Sequence, residues 1–186
     1  MNMEIIQTGI EGLIEIRPKV FPDSRGHFCE LYNRERYREA GITNDFCQEN
    51  LSQSTYGVIR GLHFQLNPYS QAKLATAIVG RIFDVAVDLR VGSPTFGQWR
   101  GVILDAEKHN EFLIPQGFAH GLSILSDVAV FSYRCDNLYH PEAEGGVAFN
   151  DPDLNIDWMI PVDKQIVSEK DAHRVLLREV KTNFVF

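Results

Sequence analysis

The stretch Val58-Ile59-Arg60-Gly61-Leu62-His63-Phe64-Gln65, preceded by Gly57 and followed downstream by Lys73, decides how the rest of the chain is read. Its alternation sets Val58, Arg60, Leu62 and Phe64 against Ile59, Gly61, His63 and Gln65, the period of an extended strand with two unlike faces. In an unbroken strand Arg60 and His63 point to opposite faces. Gly61 between them permits a bend, because a glycine inside a strand often marks a bulge or a close approach of backbone or ligand. A histidine in an apolar strand is more often a hydrogen-bonded core residue than a working group, so its surroundings have to decide.

Outward from this stretch, short β-like runs recur at residues 13–16, 27–32, 77–89 (broken at Gly80-Arg81), 99–104, 110–114 and 129–135. Turn formers separate them, including Pro22-Asp23-Ser24-Arg25-Gly26, Gly92-Ser93-Pro94 and Pro115-Gln116-Gly117. Many closely spaced strands predict a sandwich or barrel. From Phe83 the alternation is clean: Phe83, Val85, Val87 and Leu89 share one face, and Asp84, Ala86, Asp88 and Arg90 the other. That second face is either solvated or turned into a polar cavity. Only two stretches read as helical, one capped by Asn33 and stopped at Gly41, the other starting at Ser168. Residues 138–161, with Pro141, Gly145, Gly146 and Pro152, read as a long loop region.

The length of 186 residues suits one domain spanning residues 1–186. With 18 basic and 25 acidic residues the formal charge is −7, which predicts no nucleic-acid partner and no anionic-membrane surface. No apolar run approaches the ~20 residues of a membrane span. The start, Met1-Asn2-Met3-Glu4-Ile5-Ile6, lacks a basic segment followed by an apolar one, so a cytoplasmic protein is expected. Cys29, Cys47 and Cys135 are too widely spaced for a CxxC zinc site or a disulfide framework and are expected as buried free thiols.

On an acidic chain, Arg25, Arg60, Lys73 and Lys170 are candidates for a phosphate or pyrophosphate, although each alone is more often a surface charge. No glycine-rich phosphate loop is present. Pro115-Gln116-Gly117-Phe118-Ala119-His120 fits PxGxxH, the second motif of cupins, and predicts a mainly β, cupin-type double-stranded β-helix, or jelly-roll barrel, with a few short helices. The first cupin motif supplies metal ligands as HxH. Here that place holds His63-Phe64-Gln65, and glutamine is a poor substitute for a histidine ligand, so no metal is expected. His63 is then free for proton transfer.

Further motifs extend this pattern: Phe21-Pro22-Asp23-Ser24-Arg25-Gly26-His27-Phe28, Lys73-Leu74, Ser93-Pro94-Thr95-Phe96-Gly97 and Asn150-Asp151-Pro152. With the Gly57 to Gln65, Phe83 to Arg90 and Ile114 to Gly121 stretches, they make the chain resemble the dTDP-4-dehydrorhamnose 3,5-epimerase family over residues 4–171. The resemblance implies a cofactor-free isomerase. Its substrate would be dTDP-4-dehydro-6-deoxy-D-glucose, inverted at C3 and C5 on the route to dTDP-L-rhamnose. Both carbons flank the C4 ketone, so removing either proton gives an enolate with its charge on O4. Such chemistry requires a base, an acid on the other face of the sugar and a cation near O4.

By that resemblance His63 is the base, Asp171 its carboxylate partner, Tyr133 the opposing acid and Lys73 the cation at O4. His120 lines the sugar pocket. Arg25, Glu30, Gln48, Glu49, Asn50, Arg60, Glu144 and Lys170 fall at nucleotide-binding positions, and Tyr139 matches an aromatic that stacks on thymine. Glu49 stands where the family commonly has Asp. A homodimer is implied, whose N-terminal strands either stay with their own subunit or are exchanged between subunits. The alternatives are a mono-epimerase acting at C3 or C5 of a related dTDP-4-keto-6-deoxysugar, a metal-dependent cupin, and a non-catalytic nucleotide-sugar binder.

Overall fold

In the computed structural model, residues 3–186 are described. Fourteen strands follow in chain order: β1 (Met3–Gln7), β2 (Ile14–Pro18), β3 (Val20–Asp23), β4 (Gly26–Cys29), β5 (Gln48–Thr55), β6 (Val58–Gln65), β7 (Lys73–Val79), β8 (Arg81–Asp88), β9 (Trp99–Asp105), β10 (Glu111–Ile114), β11 (Phe118–Ile124), β12 (Val128–Cys135), β13 (Glu144–Gly146) and β14 (Ile166–Val167). They build one sheet in the order β1-β2-β10-β7-β12-β5 and a second in the order β13-β6-β11-β8-β9, with β14 parallel beside β6 and β3-β4 a separate hairpin. This is the mainly β, cupin-like jelly roll that the strand spacing and the PxGxxH motif predict.

The two sheets share a core. Ala75, Ala77, Phe112, Ile114 and Phe131 of the first pack with Ile82, Ala86, Leu104 and Leu122 of the second. The outer face of the second sheet is also covered, since Phe83, Val85 and Val87 pack against Leu154, Trp158 and Phe184 from the C-terminal third. The apolar face of β8 is therefore the outer one. Its other face turns inward, and Asp84 and Asp88 are fully buried. Truncating a residue such as Phe112, with none of its surface exposed, is expected to cost about 3–5 kcal/mol.

Two short helices flank the sheets. Asn33 caps α1 (Arg34–Glu39), its side chain accepting from the Glu35 and Arg36 amides. Ser168 caps α2 (Glu169–Ala172), its Oγ accepting from the Asp171 amide at 3.1 Å. Buried Tyr37 pins α1 to β10, with its hydroxyl 2.7 Å from the Leu31 carbonyl and against Glu111 Oε2. One hydroxyl has one hydrogen. If it goes to Leu31, Glu111 must supply the other, as a protonated acid. Burial pushes the Glu111 carboxyl up to about 8, against the opposing Tyr37 hydrogen bond and Arg134 charge.

The structure departs from the sequence pattern in several places. The run at 27–32 is strand only to Cys29, and the loop region 138–161 contributes β13. Strand β5 was not expected, because Gln-Glu-Asn-Leu-Ser-Gln-Ser-Thr carries little strand propensity; it is an edge strand held by β12. The three cysteines are free, but only Cys135 is buried: Cys29 is half-buried and Cys47 exposed just ahead of that edge. Among the described residues no helix is long and apolar enough to cross a membrane.

Candidate active site

A cleft of about 440 Å³ opens between the sheets. Its geometry starts at Gly61. Across the β6-β11 pairing His63 faces His120 and Arg60 faces Leu122, so three steps on β6 match two on β11. This bulge reverses the alternation and brings Arg60 and His63 to the same cleft. Only glycine fits at the bend: φ is +122°, and a Cβ at Gly61 would lie 2.5 Å from Gly121 Cα.

His63 Nε2 lies 2.5 Å from Asp171 Oδ1. Asp171 Oδ2 accepts from the Gly61 amide at 3.2 Å, and the Ser168 cap fixes the turn that carries it. Burial opposes ionisation of Asp171, but hydrogen bonds from His63, Gly61 and Ser168 outweigh it and hold the carboxyl below its usual range. A carboxylate in this position orients the imidazole and stabilises its charged form.

The facing sheet supplies Tyr133, Lys73, Asn50 and Ser52. The Lys73 ammonium lies 6.0 Å from the Tyr133 ring centroid. Burial pushes that ammonium below the ordinary lysine range and the Tyr133 phenol above its own, the latter eased by Asn50 and Arg60. Buried His120 places Nε2 2.5 Å from Asp84 Oδ1, and its ring lies 6.4 Å from that of Tyr133. Burial holds His120 below its ordinary range despite Asp84. Asp84, one half of the carboxylate pair visible in β8, is thus the partner of a cleft histidine, and Ser168 joins the cleft wall.

Beside the dyad stands a second cluster. Glu144 receives the Tyr139 hydroxyl at 2.8 Å, Lys170 Nζ at 2.7 Å and Arg174 Nη2. Burial disfavours its ionisation, but these donors prevail and lower its carboxyl to about 2. Tyr139 lies beyond the end of β12 and reaches this cluster from a loop. Gln48 bridges outward, its side chain bonding Asn50 at 3.0 Å and the Tyr139 amide at 3.0 Å.

Three candidates lie elsewhere in the chain. Glu49 sits on the opposite face of β5, taking the Ser132 hydroxyl at 3.0 Å. Glu30 is held by Arg36 at 2.5 Å. Arg25, at the tip of the exposed β3-β4 hairpin, pairs with Asp23 at 2.6 Å. Gln65 bonds the Tyr69 and Leu138 carbonyls and the His140 amide, so its amide is spent on backbone. Among the described residues no three His, Cys, Asp or Glu side chains converge as metal ligands.

The arrangement sets an imidazole on one sheet, paired with a carboxylate from α2, against a phenol and an ammonium on the other sheet. An imidazole able to take a proton thus stands across the cleft from a phenol able to give one. The family model described as dTDP-4-dehydrorhamnose 3,5-epimerase matches residues 7–179. The chain belongs to the dTDP-4-dehydrorhamnose 3,5-epimerase family. It is 49% identical over 179 residues to the protein of that name from Methanothermobacter thermautotrophicus, covering 96% of each chain. Two crystal structures superpose with a TM-score of 0.92 at 48% identity. The epimerase from Elizabethkingia anophelis matches over 96% of this chain and 98% of its own. The Legionella pneumophila enzyme, solved in complex with dTDP-4-keto-L-rhamnose, matches over 96% and 95%.

Proposed function

We propose that this chain is a 3,5-epimerase that converts dTDP-4-dehydro-6-deoxy-D-glucose to dTDP-4-dehydro-L-rhamnose. The observation that carries the reading is the opposition of His63, backed by Asp171 at 2.5 Å, to Tyr133 and Lys73 across the cleft. His63 takes the proton at C3 or C5. Lys73 stabilises the negative charge that develops on O4, where a preorganised cation in a dry site is most effective. Tyr133 returns a proton to the other face, and repetition at the second carbon completes the double inversion.

In this reading His120 holds the sugar, and its tautomer is set by Asp84: with the hydrogen on Nε2, Nδ1 is left to accept. Arg60 and Lys170 hold the pyrophosphate, Gln48 and Asn50 the pyrimidine edge, and Tyr139 stacks on thymine beside Glu144. Arg25, Glu30 and Glu49 lie outside the cleft of their own chain and are assigned to nucleotide binding through a homodimer with exchanged N-terminal strands. Phe21 and Phe28 on the β3-β4 hairpin, 41% and 69% exposed, favour such a contact.

The test is deuterium incorporation followed by NMR, with chelator-treated protein and dTDP-4-dehydro-6-deoxy-D-glucose in heavy water. Label at both C3 and C5 is expected. Label at one carbon reassigns the chain to a mono-epimerase, and absence of label removes the enzymatic reading.

A further inference from the structure

Arg174 has no part in the roles assigned above, yet it stands against both Glu144 and Asp171. Its side chain is 14% exposed. Nη2 donates to Glu144 Oε1, while Nε stands 3.8 Å from Asp171 Oδ1, the same oxygen that meets His63. That Nε is buried and has no hydrogen-bond partner. The guanidinium fits because β13 has a glycine beneath it: a Cβ at Gly146 would lie 2.8 Å from Nε and 2.9 Å from Cδ. Gly146 is also the register partner of His63, so the arginine stem crosses the sheet beside the base.

We infer that Arg174 is a positioning residue which, divided between Glu144 and Asp171, sets how much of the Asp171 charge reaches His63. The inference rests on the proposed role of His63. A cation that shares Asp171 weakens its attraction for imidazolium, and Glu144 in turn holds that cation off. The strength of the base is therefore coupled to the cluster of Glu144, Lys170 and Tyr139. The charged or titratable groups facing His63 are Asp171 from α2, His120 from β11, Lys73 from β7, Tyr133 from β12 and Arg60 from its own strand. Arg174 is the only other cation in contact with Asp171 among the described residues.

The experiment follows the His63 ring by NMR in substrate-free protein while pH is varied. Arg174→Gln removes the competing cation. It is expected to raise the His63 midpoint by about half a pH unit or more, and to move the acid limb of deuterium exchange by the same amount, because the base works only when neutral. Arg174→Lys retains the charge and is expected to stay near the parent in both. A folded Arg174→Gln protein whose His63 midpoint is unmoved overturns the inference. If that variant does not fold, the unmodified protein decides: the Arg174 Nε resonance is expected to shift with the His63 midpoint, and a resonance indifferent to it overturns the inference equally. Neither titration needs substrate, so a chain that fails to exchange deuterium refutes the epimerase reading separately.

Discussion

His63 Nε2 and Asp171 Oδ1 stand 2.5 Å apart although 108 positions separate them in the chain. The contact exists because the Gly61 bulge turns β6 toward α2 and the Ser168 cap fixes the helix that presents the carboxylate. Asp171→Asn keeps the shape and removes the charge. We expect deuterium exchange to fall by about 10²-fold, and His63→Ala to abolish it while dTDP binding persists. Exchange within a few-fold of the parent in either variant counts against the dyad. The same pair has a thermodynamic signature. Because the folded state depresses the Asp171 pKa, its stabilisation is present above the unfolded value of 3.8 and is lost as pH falls below it.

Tyr133 faces the dyad from the other sheet, and in the proposed mechanism removing its hydroxyl separates two steps. Tyr133→Phe is expected to leave proton abstraction in place, detected as deuterium washed into recovered substrate, and to lower product formation by about 10²-fold. Product formation at the parent rate would assign the acid elsewhere.

In the proposed mechanism Lys73 sets the alkaline side of the pH profile. Burial pushes its ammonium below the ordinary lysine value of 10.5, and the cation is present only below its own pKa. Epimerisation is therefore expected to decline with rising pH before an ordinary lysine would titrate. Lys73→Met should remove that limb and lower the rate by about 10²- to 10³-fold, the scale of losing one preorganised charge. A limb that survives in the variant belongs to another group.

What could be read beforehand follows physical lines. Alternation in β8 was visible because its period is two, but both faces of the second sheet are buried, so alternation alone left open which side Asp84 faced. Gly61 announced a bend, and the bulge is that bend. Strand β5 was hidden because its inner face lines a polar cleft and its outer face is exposed, leaving no apolar stripe. Asp171 and Tyr133 stand out in the sequence as polar residues, but their pairing with His63 is reachable only through the family resemblance, since the fold brings them to His63 from distant positions. Arg174 carried no signal at all: its importance lies in a glycine opposite and two carboxylates that the fold alone assembles.

The last prediction concerns Glu111, far from the chemistry in role. Glu111 completes the Tyr37 clamp on α1, and burial raises its carboxyl to about 8 from an ordinary 4.5. Between those two values the folded state binds a proton that the unfolded chain has released. Stability from this group is fully present below pH 4.5 and is lost as pH rises through about 8. The whole span is worth on the order of a few kcal/mol. Glu111→Gln offers Tyr37 an amide donor that does not titrate. The melting temperature of the parent is expected to fall between pH 7 and pH 9.5 by several degrees more than that of the variant, since ~1 kcal/mol moves a domain of this size by about 2–4 °C. Parallel curves for the two proteins would mean that Glu111 is already ionised in the fold. Tyr37 would then have to divide one hydrogen between two acceptors, an arrangement that leaves one of them buried and unsatisfied.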